Sequence, residues 1–226
     1  TAGYAEADRR FLVGDASYRA YETVSAPGRE SLILMNSPRR PDGPPIRDGK
    51  PYSQIAHLAE SVVPFVAIAG ILREAGFCAP RIPAADLDRG LLLVEDLGRE
   101  GVLDAAGRPI EERYVAAAEL LARMHGRDWP RRVPVAAGVV HEIPAYDPGA
   151  LAIETELLID WYVPHVGGRA ATAGERAAYG QAWRDAFARL ERAEKSLVLR
   201  DYHSPNLIWR AEREGQDRLG LIDFQD

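Results

Sequence analysis

Near the end of the chain, residues 199–207 read Leu-Arg-Asp-Tyr-His-Ser-Pro-Asn-Leu, and residues 219–224 read Leu-Gly-Leu-Ile-Asp-Phe. Asp201 stands five positions before Asn206, and Asp223 ends the next apolar run. A carboxylate, an amide and a second carboxylate are all hard oxygen donors. Phosphoryl transfer asks for that set: a carboxylate beside the attacking hydroxyl, to orient it and take its proton late, and oxygen ligands for a Mg²⁺ that bridges nucleotide phosphates. Asp201 suits the first task, and Asn206 with Asp223 the second. Asp226, just beyond, is a further candidate for a metal or water contact. Read singly, Asp and Asn are ordinary turn formers, and Asp223 the cap of a strand. The order strand, loop, hairpin, strand is what makes them a constellation.

Strands must deliver these residues, and the pattern supplies them. Leu197-Val198-Leu199, Leu207-Ile208-Trp209 and Leu219-Gly220-Leu221-Ile222 read as short strands, with Ser204-Pro205 as the tight turn that brings Asn206 back. The other end of the chain is also strand-like. Phe11-Leu12-Val13, the alternation through Tyr18, Tyr21 and Val24, and the buried run Leu32-Ile33-Leu34-Met35 surround Gly14-Asp15. In that turn Gly14 permits positive φ, and Ser17 with the backbone N–H groups suits a phosphate; Arg19 can pair with one. A plain β-turn accounts for the hexapeptide nearly as well.

Residues 37–51 are a proline-rich loop. Helical periodicity is expected through Ile55, Leu58, Ala59 and Val62, and again from Pro64 to Ala75, with Gly76 as the residue after the cap. Leu91-Leu92-Leu93-Val94 is a strand ending in Glu95-Asp96-Leu97-Gly98. Helix dominates afterwards. Residues 111–125 place Tyr114, Ala118, Leu121 and His125 on one stripe, and Thr172-Ala173-Gly174-Glu175 has capping-box spacing ahead of Tyr179, Trp183 and Phe187. The expected class is α+β, with a boundary near Leu97: residues 1–97 as a small β-rich part and 98–226 as a mainly helical part.

Composition sets the outer limits. The chain has 226 residues, 28 Lys or Arg against 34 Asp or Glu, and a net charge of −6. That balance gives no reason to expect nucleic acid or an anionic membrane as partner. A lone cysteine, Cys78, excludes an intrachain disulfide and fits a reducing compartment; a small buried hydrophobe is its expected role. No stretch is apolar and long enough to span a bilayer, and no signal peptide is visible, so a cytoplasmic monomer is the expectation.

Arg200-Asp201-Tyr202-His203-Ser204-Pro205-Asn206 with Ile222-Asp223-Phe224 resembles the aminoglycoside/choline phosphotransferase family, which has the bilobal protein-kinase-like fold. Three segments are similar, more narrowly, to the cell-wall-recycling kinases that phosphorylate N-acetylmuramate and N-acetylglucosamine at the anomeric hydroxyl. They are residues 14–19, the stretch Leu34-Met35-Asn36-Ser37-Pro38, and residues 201–206 with 221–226. The resemblance implies ATP or GTP and Mg²⁺ as cofactors, with Asp201 as base and Arg200 steadying the loop or the transferring phosphate. It implies a nucleotide-covering loop at Gly14, Asp15, Ser17 and Arg19, and adenine on the backbone around Glu95 and Leu97. Glu154, Trp161 and Tyr162 are candidates for the sugar, Trp161 and Tyr162 being equally readable as helix core. His203 joins them as a loop-fixing hydrogen bonder. The fold normally continues past this point through further helices.

One departure keeps rivals open. The strand Leu32-Ile33-Leu34-Met35 lacks the lysine that usually holds the phosphates, leaving Arg19, Arg39 or Arg40 to supply the charge. An aminoglycoside or other small alcohol remains an alternative acceptor, and a non-catalytic nucleotide-binding module an alternative role.

Overall fold

The apolar run at residues 32–35 becomes a strand buried along most of its length, and the amino-terminal third is arranged around it. The structure, a computed structural model, describes residues 4, 6–12, 19–39 and 41–225. Strands β1 (Asp8–Leu12), β2 (Ala20–Ser25), β3 (Leu32–Asn36), β4 (Pro45–Arg47) and β5 (Lys50–Pro51) come first. The single turn α1 (Tyr52–Ile55), helix α2 (Val63–Glu74), β6 (Ala84–Asp86) and β7 (Leu91–Glu95) follow. Next are α3 (Glu111–His125), the hairpin β8 (Arg132–Ala136) and β9 (Val139–Glu142), α4 (Pro148–Leu157), a π-helical turn (Leu158–Tyr162), α5 (Val163–Gly167) and α6 (Ala173–Leu190). A 3-10 turn (Ser204–Asn206) leads into β10 (Leu207–Trp209), and another (Gly215–Arg218) into β11 (Leu219–Leu221). The class is α+β, as expected.

Contacts divide the chain into two compact units: unit 1 holds residues 1–40, 59–143 and 199–226, and unit 2 holds 41–58 and 144–198. Unit 1 is built on a five-stranded sheet of order β1-β2-β3-β7-β6, antiparallel throughout. In α2, Pro64 takes the first turn, where its missing N–H costs nothing, and Phe65, Ile68 and Leu72 are buried. Gly76 follows the cap with φ +84°, a conformation that favours glycine. In α3 the buried face is Ala117, Leu120 and Met124, one position off the stripe that spacing suggests. Tyr114 is exposed. Apolar residues are so dense between Tyr114 and Ala122 that the 3.6-residue period fits more than one face, and packing decides.

Three further expectations change. The helix through Ile55 to Val62 stops at Ile55, because His57 adopts φ +56° and no α-helix passes through that region. Residues 197–199 bury Leu197 and Leu199 but join no ladder among the described residues, so they form no strand there. The loop at 37–51 contains the short β4–β5 hairpin.

In unit 2 the amino end of α4 is capped by Asp147, whose Oδ1 accepts the N–H of Ala150 at 2.9 Å. Burial pushes the Asp147 carboxyl upward, yet the Ala150 N–H and His57 outweigh it and hold it below its ordinary value. The segment before α2 is fastened to α4 by polar contacts: Tyr52 Oη to Glu154 Oε1 at 2.6 Å, Arg47 to Glu156, and His57 Nε2 to Asp147 Oδ2 at 3.3 Å. The box at Thr172 and Glu175 forms as its spacing requires, and Arg169 and Thr172 hold the Glu175 carboxyl well below the usual range. Among the described residues, no helix is long and apolar enough to cross a membrane.

Candidate active site

The segment 199–206 closes on itself before it enters β10. Asp201 N–H donates to the Leu199 carbonyl at 2.6 Å, a turn so tight that Arg200 between them takes φ +56°. A non-glycine residue held there costs on the order of 1 kcal/mol or more. The Asp201 carbonyl then accepts two donors, the backbone N–H of His203 at 2.9 Å and Asn206 Nδ2 at 3.0 Å. Committing the amide nitrogen this way leaves Oδ1 as the end of Asn206 that can face a cation. Asn206 N–H donates in turn to the His203 carbonyl at 2.9 Å.

What holds the strained loop is a residue that spacing does not advertise. Tyr202 sends its hydroxyl to the Ala117 carbonyl of α3 at 2.7 Å, and burial raises its ionisation well above the ordinary tyrosine value. With Asp201 and Asn206 linked through one carbonyl, this anchor fixes both relative to α3.

The hairpin brings Asp223 alongside. β10 and β11 pair antiparallel, Leu207 opposite Leu221, and Ile222 N–H extends the ladder onto the Asn206 carbonyl at 3.1 Å. Asp223 is therefore the next residue beyond the rung that carries Asn206. It too has φ +56°, which Asp tolerates better than most residues. Phe224 pins it from the other side, stacking on Phe65 of α2 with ring centroids 5.0 Å apart. Asp223 Oδ1 accepts from Arg19 Nη1 at 2.8 Å and from Gln225 Nε2 at 2.7 Å. The ion pair is shielded, with only 12% of the Arg19 side chain and 24% of that of Asp223 exposed.

The adenine is expected on the backbone around Glu95 and Leu97. The Glu95 side chain there is largely enclosed: its Oε2 accepts Arg81 N–H at 3.1 Å, and Arg210 Nη2 lies 3.6 Å from Oε1. Leu97 is core, packed with Cys78, Ile208 and Ile222. A Cβ on Gly220 would meet Leu97 Cδ1 at 2.9 Å, so glycine at that point in β11 lets the Leu97 segment lie against the hairpin. Cys78 is buried as expected, and burial pushes its thiol up against the opposing pull of Arg210 Nη1, 2.8 Å from Sγ.

Unit 1 thus brings Arg19, Asp201, Asn206 and Asp223 together, with Arg200 and His203 in the same loop; the Asp201 and His203 positions are exposed. Gly14, Asp15, Ser17, Arg40 and Asp226 lie outside the described residues. Glu154, Trp161 and Tyr162 belong to unit 2. There Glu154 is engaged by Tyr52, while Trp161 and Tyr162 are 74% and 60% exposed, which removes the helix-core alternative. Tyr202, Phe65 and Gln225 were not foreseen. Only Tyr202 had a local signal, an aromatic beside the carboxylate in a polar loop.

As for a divalent cation, the donors on offer are the Asn206 amide oxygen and the Asp223 carboxylate, both hard, and the pair suits Mg²⁺ better than a soft metal. The Arg19 guanidinium on Asp223 shows that the position accepts positive charge.

Residues 8–226 match the family described as "Phosphotransferase enzyme family". A protein of Caulobacter vibrioides named N-acetylmuramate/N-acetylglucosamine kinase is 35% identical, over 99% of this chain and 64% of its own length. Proteins of the same name from Pseudomonas aeruginosa and Pseudomonas putida are 34% and 30% identical, each over 94% of this chain and 53% of its own length. The chain therefore spans about half to two-thirds of the curated relatives it matches.

Proposed function

The chain belongs to the phosphotransferase enzyme family, and from that premise we propose that it is a kinase for a small amino sugar, using ATP or GTP with Mg²⁺. The acceptor is the anomeric hydroxyl of N-acetylmuramate or N-acetylglucosamine, the sugars named in its relatives. The observation that carries the reading is the convergence of Asp201, Asn206 and Asp223 at one end of the β10–β11 hairpin.

Bound nucleotide supplies the phosphoryl group, and the divalent cation offsets the charge that spreads over it. Asp201 would orient the sugar hydroxyl and take its proton as the hydroxyl oxygen bonds to the γ-phosphorus and the nucleoside diphosphate leaves. Asn206 Oδ1 and Asp223 would hold the cation. Arg200 and His203 keep the loop in shape, and Trp161 and Tyr162 offer aromatic faces of the sort that sugar rings stack on. The reading keeps a nucleotide-covering part at residues 1–97, a part with the loop and cation site at 98–226, and a monomer in the cytoplasm.

A second reading, a nucleotide-binding module without turnover, is favoured by β3, which carries no lysine. Nucleotide consumption decides between them. The expected result is nucleoside diphosphate release with N-acetylmuramate or N-acetylglucosamine and little with aminoglycosides; binding of Mg²⁺–ATP with no release for any sugar or alcohol would favour the module.

A further inference from the structure

Positive charge at this site comes from an unusual direction. Leu32-Ile33-Leu34-Met35-Asn36 of β3 contains no cation, yet Asp223 has a guanidinium on its Oδ1 at 2.8 Å. That guanidinium belongs to Arg19, the residue directly before β2, whose first residue Ala20 is paired with Asn36 at the end of β3. A charged pair with so little exposure is held by mutual neutralisation, and removing one member leaves the other's charge less compensated away from water.

Resting on the phosphotransfer reading, we propose that Arg19 is the counter-cation of Asp223 before metal binds and a phosphate-binding cation once nucleotide is bound. A divalent ion bound through Asp223 repels a guanidinium on the same oxygen. Arginine has a long, flexible stem and a planar fork that matches a phosphate at two points, so nucleotide phosphates give it somewhere to go. The exchange has a thermodynamic consequence. A cation arriving alone must displace Arg19 with no compensation, whereas a cation arriving with nucleotide does not. Cation and nucleotide therefore tighten each other by one common factor, because coupling between two ligands is reciprocal. Arg19 takes the part of the missing strand lysine and adds a check: the site resists filling by metal without nucleotide.

The test reads binding and not turnover. Mn²⁺ binding is measured by electron paramagnetic resonance with and without ADP, and ADP binding by calorimetry with Mn²⁺ present. In Arg19→Gln, Mn²⁺ alone binds about tenfold tighter, ADP about tenfold weaker, and the mutual enhancement falls toward one, on the scale of a charge-assisted hydrogen bond. Mn²⁺ affinity unchanged in the absence of ADP, or Mn²⁺ and ADP weakened together, overturns the exchange. If Arg19→Gln does not fold, Arg19→Lys keeps the charge and loses the fork; it shifts both constants in the same directions by less, and constants equal to the parent's overturn the proposal. Asp223→Asn separates the two readings. Mn²⁺ binding that survives it sinks the phosphotransfer reading, while a failure confined to the Arg19 variants sinks the exchange alone.

Discussion

Units 1 and 2 use aromatic residues in opposite ways. In unit 1 Phe224 is 2% exposed and stacked on Phe65, and Tyr202 spends its hydroxyl on a helix carbonyl. In unit 2 Trp161 and Tyr162 stand out from a π-helical turn, and Trp183, between Tyr179 and Phe187, is also partly open to water. The difference follows from what each must hold. Two residues at φ +56°, Arg200 and Asp223, flank the polar groups of unit 1, and such backbone persists only where neighbouring packing over-determines it. Unit 2 has two such residues as well, Asp48 in the β4–β5 turn and His57 at its fastening to α4, together with an exposed aromatic surface. In unit 1 the strained backbone sits beside the charged groups that have to be positioned. Aromatic area is left open where a ring can be received.

The comparison breaks first at Asp201. Asp201→Asn is expected to lower turnover about 10²- to 10⁴-fold while leaving the urea midpoint almost unmoved, since the position is exposed. A large loss of stability would mean that the residue serves structure. Phe224→Ala comes next, costing about 3–5 kcal/mol by chemical denaturation, because it empties a filled site beneath Asp223. A cost under about 1 kcal/mol would show the stack to be dispensable.

Tyr202→Phe should cost about 1 kcal/mol, and it also makes a prediction about pH. Burial raises the folded-state pKa above the unfolded value of about 10, so the neutral form is the one that folding favours. Its contribution is whole below pH 10 and is lost as pH rises above it, at up to about 1.4 kcal/mol per pH unit, since the unfolded chain ionises first. Denaturation at pH 9 and 11 should show that slope in the parent and a shallower one in the phenylalanine variant. The smallest effect on stability belongs to Trp161→Ala, within about 0.5 kcal/mol, with the KM for sugar raised if the ring receives it.

How much of this was legible depended on whether the cause was local. The box at Thr172 and Glu175, the Pro64 start of α2 and the Gly76 stop involve atoms a few residues apart, and their spacing announces them. The order of Asp201, Asn206 and Asp223 was legible for the same reason, being framed by a turn and two strands. What packs against what was not. The choice of Ala117, Leu120 and Met124 over their neighbours in α3, and the failure of residues 197–199 to find a ladder, are settled by elements distant in sequence. Arg19 meeting Asp223 spans 204 positions, and no periodicity reaches that far. The hairpin at 132–142 hides behind Pro134 at its register shift, where an alternating pattern is interrupted.

The chain's only thiol, shut away between β10–β11 and the Leu97 segment, doubles as a clock. With burial suppressing its ionisation, Cys78 is open to an alkylating reagent only when that part of unit 1 parts company, so the rate of labelling counts the openings. Run with and without nucleotide, the same count would tell how often the carrier of the loop comes undone between visits.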